Sequence, residues 1–196
     1  MNDANLLDKV KAQMTAHRFT HTLGVADTAV LLSERYGEDK EKAYLAGILH
    51  DYCKFWEKER MKEIIVQADS ISTDILDYDK ELWHAPVGAY VVQQELNIQD
   101  TAVLDAIRFH TSGRPGMSQL EKILWLADYI EPGRHFPGVD EVRELAVQDL
   151  NKALVKAMGN TIIFLVKQGK RIYPLTLETY NDLVRQIEKQ ERSHGA

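Results

Sequence analysis

Cysteine is almost missing from this chain: among 196 residues only Cys53 carries a thiol. One thiol excludes an intramolecular disulfide and a thiolate-built zinc cluster, and it suits a reducing compartment. Long apolar runs are missing too. The longest, AYLAGIL and TIIFLV, fall far short of the about 20 residues a membrane-crossing helix needs. An excess of cations is also absent. With 24 Lys and Arg against 30 Asp and Glu, the net charge is −6, which argues against a broad nucleic-acid footprint. A small anionic ligand stays compatible, because a metal or a few local cations reverse the sign of a pocket. The opening MNDANLLDKVKAQ lacks the basic stretch and apolar core of a secretory signal. These absences lead to the expectation of a cytoplasmic protein with neither membrane nor nucleic acid as partner.

What is present is helical spacing. Leu23, Ala26, Ala29, Val30 and Leu32 form one stripe, and Leu120, Ile123, Leu124 and Ala127 another. Val142, Leu145, Leu150, Leu154 and Ala157 continue the pattern, and Leu183, Val184 and Ile187 close it. Start signals agree: SQLE from Ser118 reads as a capping box, Asp100 and Asp140 sit where N-caps belong, and Pro86 suits a first helical turn. Gly37 and Gly169 read as stops, and SGRPG and EPGRHFPG as loops. Alternation of period two is wanting; RIYPLTL comes nearest, and Pro174 weakens it. With 44% hydrophobic and 28% charged residues, the chain can fill one core. The expectation is an all-α, single-domain helical bundle, with residues 141–196 as C-terminal helices packed on a 1–140 core.

Six ionisable residues fall where apolar ones belong. His50 and Asp51 extend the packed face of LAGIL by i,i+4 steps from Ala46 and Gly47. Asp128 follows Leu120 and Leu124 on one row, His110 follows Val103 and Ile107, and His21 leads Val25 and Ala29. His84 stands just before Pro86. A carboxylate against a core is costly unless it is paired or bound to a cation. A single such residue is usually satisfied by hydrogen bonds. Four imidazoles and two carboxylates from separate helices favour a metal site, which a bundle interior can assemble. That ligand chemistry suits iron, manganese, zinc or another first-row dication. The remaining histidines are weaker candidates: His17 lacks a zinc-protease motif, His135 lies in a loop and His194 near the tail.

The arrangement His21, His50-Asp51, Asp128 resembles the H…HD…D signature of the HD-domain phosphohydrolases, and His84 and His110 are placed like the extra histidines of dinuclear members. The stretches HRFTHTLGVADTA, LAGILHDYCK, HAPVGAYV, IRFHTSGRPGMSQLEKILWLADYIEPGRHFPGV and YPLTLETYN are similar to the bacterial YqeK-like branch, the symmetrical diadenosine-tetraphosphate hydrolases. The resemblance implies that His21, His50, Asp51 and Asp128 hold an iron-type ion, with manganese or cobalt as substitutes. It implies that His84 and His110 face a second ion or the substrate phosphates. Thr111 and Arg134 match positions near the nucleotide, and Tyr173 a wall for base or ribose. A small-molecule nucleotide would be the partner, and a homodimer is compatible with it.

The chemistry follows from general principles. A bound dication lowers the pKa of its water and polarises a phosphoryl oxygen; in the reaction that the resemblance implies, hydroxide would attack an inner phosphorus of the tetraphosphate and give two nucleoside diphosphates. Asp51, Lys54, His84 and His110 are expected to take part in the reaction. His21, His84, His110, Thr111, Asp128, Arg134 and Tyr173 are expected at the substrate. Lys54, three residues after Asp51, could reach a phosphate from the same helical face, and Arg134 could grip one as a bidentate fork. Competing readings are an HD-type hydrolase of nucleoside triphosphates, cyclic nucleotides or alarmones, a nucleotide-sensing module without turnover, and a structural bundle with hydrogen-bonded core histidines.

Overall fold

Helix-start chemistry fixes the order of the elements in the computed structural model, which describes residues 3–194. Ten α-helices follow one another: α1 Asp3–Lys11, α2 Ala16–Tyr36, α3 Lys40–Leu49, α4 Lys58–Gln67, α5 His84–Glu95, α6 Thr101–Phe109, α7 Gln119–Ile130, α8 Val139–Ala146, α9 Leu150–Lys167 and α10 Pro174–His194. Two 3-10 helices, Thr73–Asp77 and Lys80–Leu82, link α4 to α5. No strand occurs among the described residues. RIYPLTL is no exception: its last four residues begin α10, with Pro174 at the first helical position, where its missing N–H costs nothing.

Side-chain oxygens take the free N–H groups at the helix starts. Thr15 caps α2, Asp39 α3, Asp100 α6 and Asp149 α9. Ser118 and Glu121 form the reciprocal box at α7. Asp140 is a correction. Gly138, at φ 89°, is the N-cap of α8, and Asp140 falls inside the first turn, where its charge still complements the helix dipole. The apolar row expected across 142–157 is likewise two helices, α8 and α9, broken at Asp149.

Small residues let the central helices close up. α2 packs on α3 and α7, α3 on α6 and α7, and α5 on α6. Val25, Ala26 and Ala29 of α2 and Ala43, Ala46 and Ile48 of α3 are fully buried. At Gly47 a Cβ would lie 2.6 Å from the Cα of Ala26, so α2 and α3 touch backbone to backbone there. α9 lies against α7, α8 and α10, burying Leu154, Ala157 and Met158, with Leu183 of α10. The continuous hydrophobic cluster runs from Leu6 to Leu183.

Candidate functional site

The packed face of α3 ends one residue before the site begins. His50 is the C-cap of α3 and Asp51 starts a run of turns, with Tyr52 N–H donating to Leu49 O at 3.1 Å and Lys54 N–H to Asp51 O at 2.9 Å. The expectation that both residues continue the helical face is thus corrected for Asp51: His50 keeps helical dihedrals at the C-cap (φ −54°, ψ −37°) and Asp51 lies in the turns beyond, both completely buried. Around them stand His21 from α2, His84 from the first position of α5, His110 from the C-cap of α6, and Asp128 from α7. All six sequence-expected residues therefore meet.

The second ring nitrogen of each histidine shows what the first can do. His50 Nδ1 lies 2.6 Å from Gly47 O, and His110 Nδ1 lies 2.7 Å from Ile107 O. A carbonyl only accepts, so both Nδ1 atoms carry hydrogen, and in the neutral ring Nε2 presents a lone pair. His21 Nδ1 faces Glu131 Oε1 at 2.9 Å, which orients that ring in the same way. These are the outer partners that fix metal-ligating imidazoles.

The inward atoms crowd together. His21 Nε2 is 3.0 Å from Asp128 Oδ1, and His50 Nε2 is 3.0 Å from Asp51 Oδ2. His84 Nε2 is 3.1 Å from Asp51 Oδ1 and 3.1 Å from His110 Nε2. His21 Nε2, His50 Nε2 and Asp51 Oδ1 are buried without a hydrogen-bond donor among the described residues. Lone pairs facing lone pairs in a dry interior are unfavourable unless a cation lies between them. The donor set suits a divalent metal. Three overlapping groups suit one: His21–His50–Asp51, His50–His110–Asp128 and Asp51–His84–His110. Asp51 divides its oxygens, Oδ2 toward His21 and His50, Oδ1 toward His84 and His110.

Between the side chains themselves, burial lowers the His50 pKa, but the charge and hydrogen bond of Asp51 outweigh it and raise it. Burial pushes the Asp51 carboxyl up, but the charge and hydrogen bond of His50, with help from His84, hold it well below the usual carboxylate range. Asp128 is held well below that range too, its burial outweighed by His21, His50 and Arg134. Burial lowers the pKa of His84, and lowers that of His110 further with the charges of His84 and His50. These directions favour the charged form of both carboxylates and the neutral form of His84 and His110.

Two residues at the site were not singled out from sequence. Arg18, one turn before His21, places its guanidinium on Asp51 Oδ2. Glu131, one turn past Asp128, is buried against His21 Nδ1 and accepts the Gly133 N–H. Their i−3 and i+3 spacing from candidate ligands was the available signal. Lys54 is not on the expected helical face; it lies in the turn after Asp51, with Nζ 2.7 Å from Glu81 Oε2. Arg134 donates to Asp128 Oδ1 at 2.6 Å and to Asp128 O at 2.9 Å. Its loop is pinned by Arg143, which donates to the carbonyls of Ile130, Glu131 and Arg134.

A cleft of about 520 Å³ opens beside the cluster, with His110, Thr111, Asp128, Arg134 and Tyr173 in its wall. That volume is in the range of small-molecule sites. Lys170 and Arg171 also line it. Tyr173 is buried against Tyr78 and Asp74, and burial first, with the Asp74 carboxylate, pushes its phenol up to about 12. Among the described residues no helix is long and apolar enough to cross a membrane.

The HD domain family matches residues 18–133, which include all six clustered residues. The chain belongs to the HD-domain family. This HD-domain protein is 55% identical over 184 residues to the symmetrical bis(5'-nucleosyl)-tetraphosphatase of Bacillus subtilis (strain 168), covering 94% of this chain and 98% of the relative. The Staphylococcus aureus (strain NCTC 8325 / PS 47) protein of the same name is 39% identical over 173 residues, 87% of this chain and 89% of that one. A crystal structure of a predicted HD superfamily hydrolase involved in NAD metabolism, from Clostridium acetobutylicum, superposes with a TM-score of 0.91 at 41% identity, covering 95% of this chain and 98% of the other.

Proposed function

We propose that this HD-domain protein cleaves dinucleoside tetraphosphates symmetrically, so that diadenosine tetraphosphate and water give two ADP. The observation that supports this most is the divided Asp51 carboxylate, with imidazoles on both of its oxygens, behind a cleft that His110 and Asp128 line together with Arg134, Lys170 and Arg171. The B. subtilis relative carries the name of that activity across nearly the whole chain.

His21, His50, Asp51 and Asp128 would hold one divalent ion, iron in our reading, with manganese or cobalt able to replace it; His84 and His110 would complete a second position with Asp51. An ion held by these residues would supply an activated water near neutral pH and polarisation of the phosphoryl oxygen. The protein's own groups do the rest. Glu131 and the Gly47 and Ile107 carbonyls keep the imidazole tautomers fixed. His84 and His110, buried with their Nε2 atoms on the Asp51 side, limit the space that the reacting phosphate can take. Arg134, held by Asp128, offers its remaining N–H groups to an equatorial oxygen, where in-line transfer concentrates negative charge. The water oxygen bonds to one inner phosphorus, and the bridging oxygen departs with the other as nucleoside diphosphate. Lys54, paired with Glu81, and Arg18, on Asp51, are the nearby cations that can turn to the outgoing phosphate. The substrate is a small nucleotide, not a nucleic acid, and the enzyme works in the cytoplasm.

Chromatography of the products from diadenosine tetraphosphate tests the proposal. ADP alone is expected from the wild type and none from Asp51→Ala. ATP with AMP, or orthophosphate, would refute the symmetrical reading.

A further inference from the structure

The cleft wall away from the metal-capable cluster is built of rings. Trp125 stacks on Tyr129 at 5.8 Å between centroids and 12° between planes, and Phe136 meets Tyr129 edge-on at 5.0 Å and 81°. Phe164, on the last turns of α9, also lines the cleft. Phe136 is 37% exposed and Phe164 60% exposed, so both leave ring surface in water.

We propose that Phe136 and Phe164 clamp the base of one nucleotide half of the substrate, with the Trp125–Tyr129 stack as the floor. This rests on the reading of the site as a nucleotide hydrolase and assigns its base subsite, which Tyr173 was expected to supply. The occupant must satisfy two features of one cleft at once. It carries an aromatic face, because bases stack on exposed side-chain rings whatever their edge pattern. It carries phosphate, because Arg134, Lys170 and Arg171 line the same cleft as His110 and Asp128. A nucleoside diphosphate unit meets both. Stacking grows with ring area, so purines bind more tightly than pyrimidines here.

Calorimetry on the manganese-loaded full chain tests the clamp, with ADP and inorganic tripolyphosphate as separate probes. Phe136→Ala and Phe164→Ala are each expected to weaken ADP about tenfold and leave tripolyphosphate within twofold. Phe136→Trp and Phe164→Trp should retain wild-type ADP affinity. For diadenosine tetraphosphate, KM should rise in the alanine variants while kcat stays within about threefold, the mark of lost ground-state and transition-state binding alike. Unchanged ADP affinity in both alanine variants would overturn the clamp, and so would equal weakening of ADP and tripolyphosphate. A wild type that binds no ADP would overturn it as well. If the wild type binds ADP through these rings yet releases other products, the clamp stands and the symmetrical reading falls.

Discussion

Gly47→Ala is the most informative perturbation away from the ligands themselves. The new Cβ would lie 2.6 Å from Ala26 Cα, 3.0 Å from Ala26 N and 3.1 Å from Ala26 Cβ. Backbone atoms cannot rotate aside. Restoring an ordinary carbon contact of about 3.5 Å from 2.6 Å requires α2 and α3 to separate by about 0.9 Å. Overpacking of this kind costs about 1–3 kcal/mol, and the helix propensity of alanine over glycine returns about 1 kcal/mol. The net loss is therefore about 0–2 kcal/mol, a fall in Tm of at most about 8 °C for a chain of this size. The site should suffer more. His21 rides on α2 and His50 is fixed to Gly47 O, so the shift opens the gap between ligands that tolerate only about 0.2 Å. Manganese or cobalt titration followed by calorimetry should show affinity reduced at least about tenfold, as loss of the partners that orient metal ligands does. Gly159→Ala is the control, because its Cβ would meet only Tyr180 Cε2 at an ordinary 3.7 Å. Metal affinity within twofold of wild type in Gly47→Ala would refute the claim that this helix contact sets the ligand spacing.

Other outcomes follow from the same geometry. Glu131→Ala frees the His21 ring and should lower metal affinity about 10–100-fold, measured by the same titration; no change would mean that His21 is positioned otherwise. Lys54→Met should raise the Glu81 pKa seen by NMR titration. Burial pushes that carboxyl up, and Lys54, with smaller help from His84 and Lys80, outweighs it and holds the pKa below its ordinary value; removing the Lys54 cation takes away the largest opposing pull. Removing the metal with a chelator should lower Tm by an amount that grows with the metal concentration of the untreated sample, and a Tm indifferent to metal would count against the centre.

Much of the site was legible because burial and polarity conflict along a helical row. Asp128 after Leu120 and Leu124, and His110 after Val103 and Ile107, announce themselves by breaking an apolar stripe. Arg18 and Glu131 do not. Each lies on a polar or boundary position of its own helix, and Glu131 meets His21 across 110 residues of chain, a contact no local spacing encodes. Asp51 looked helical because the i,i+4 row continues through it, but the backbone hydrogen bonds change to turns beyond Leu49. Asp140 misled for a related reason: an acid suits both the cap and the first turn, and a positive φ at Gly138 is a property of the folded loop. The all-α architecture was readable from caps and periodicity. The rings of the cleft were not, since Trp125 on an apolar row looks like any core residue until the empty space beside it is seen.

Mass analysis of ADP formed from diadenosine tetraphosphate in oxygen-18 water tests the central claim most directly. Attack by water on an inner phosphorus predicts that half of the ADP carries one heavy oxygen, located on the β-phosphate, and that Asp51→Ala forms none. Label in AMP, in ATP or in orthophosphate, or unimpaired labelling in the Asp51 variant, would contradict the account.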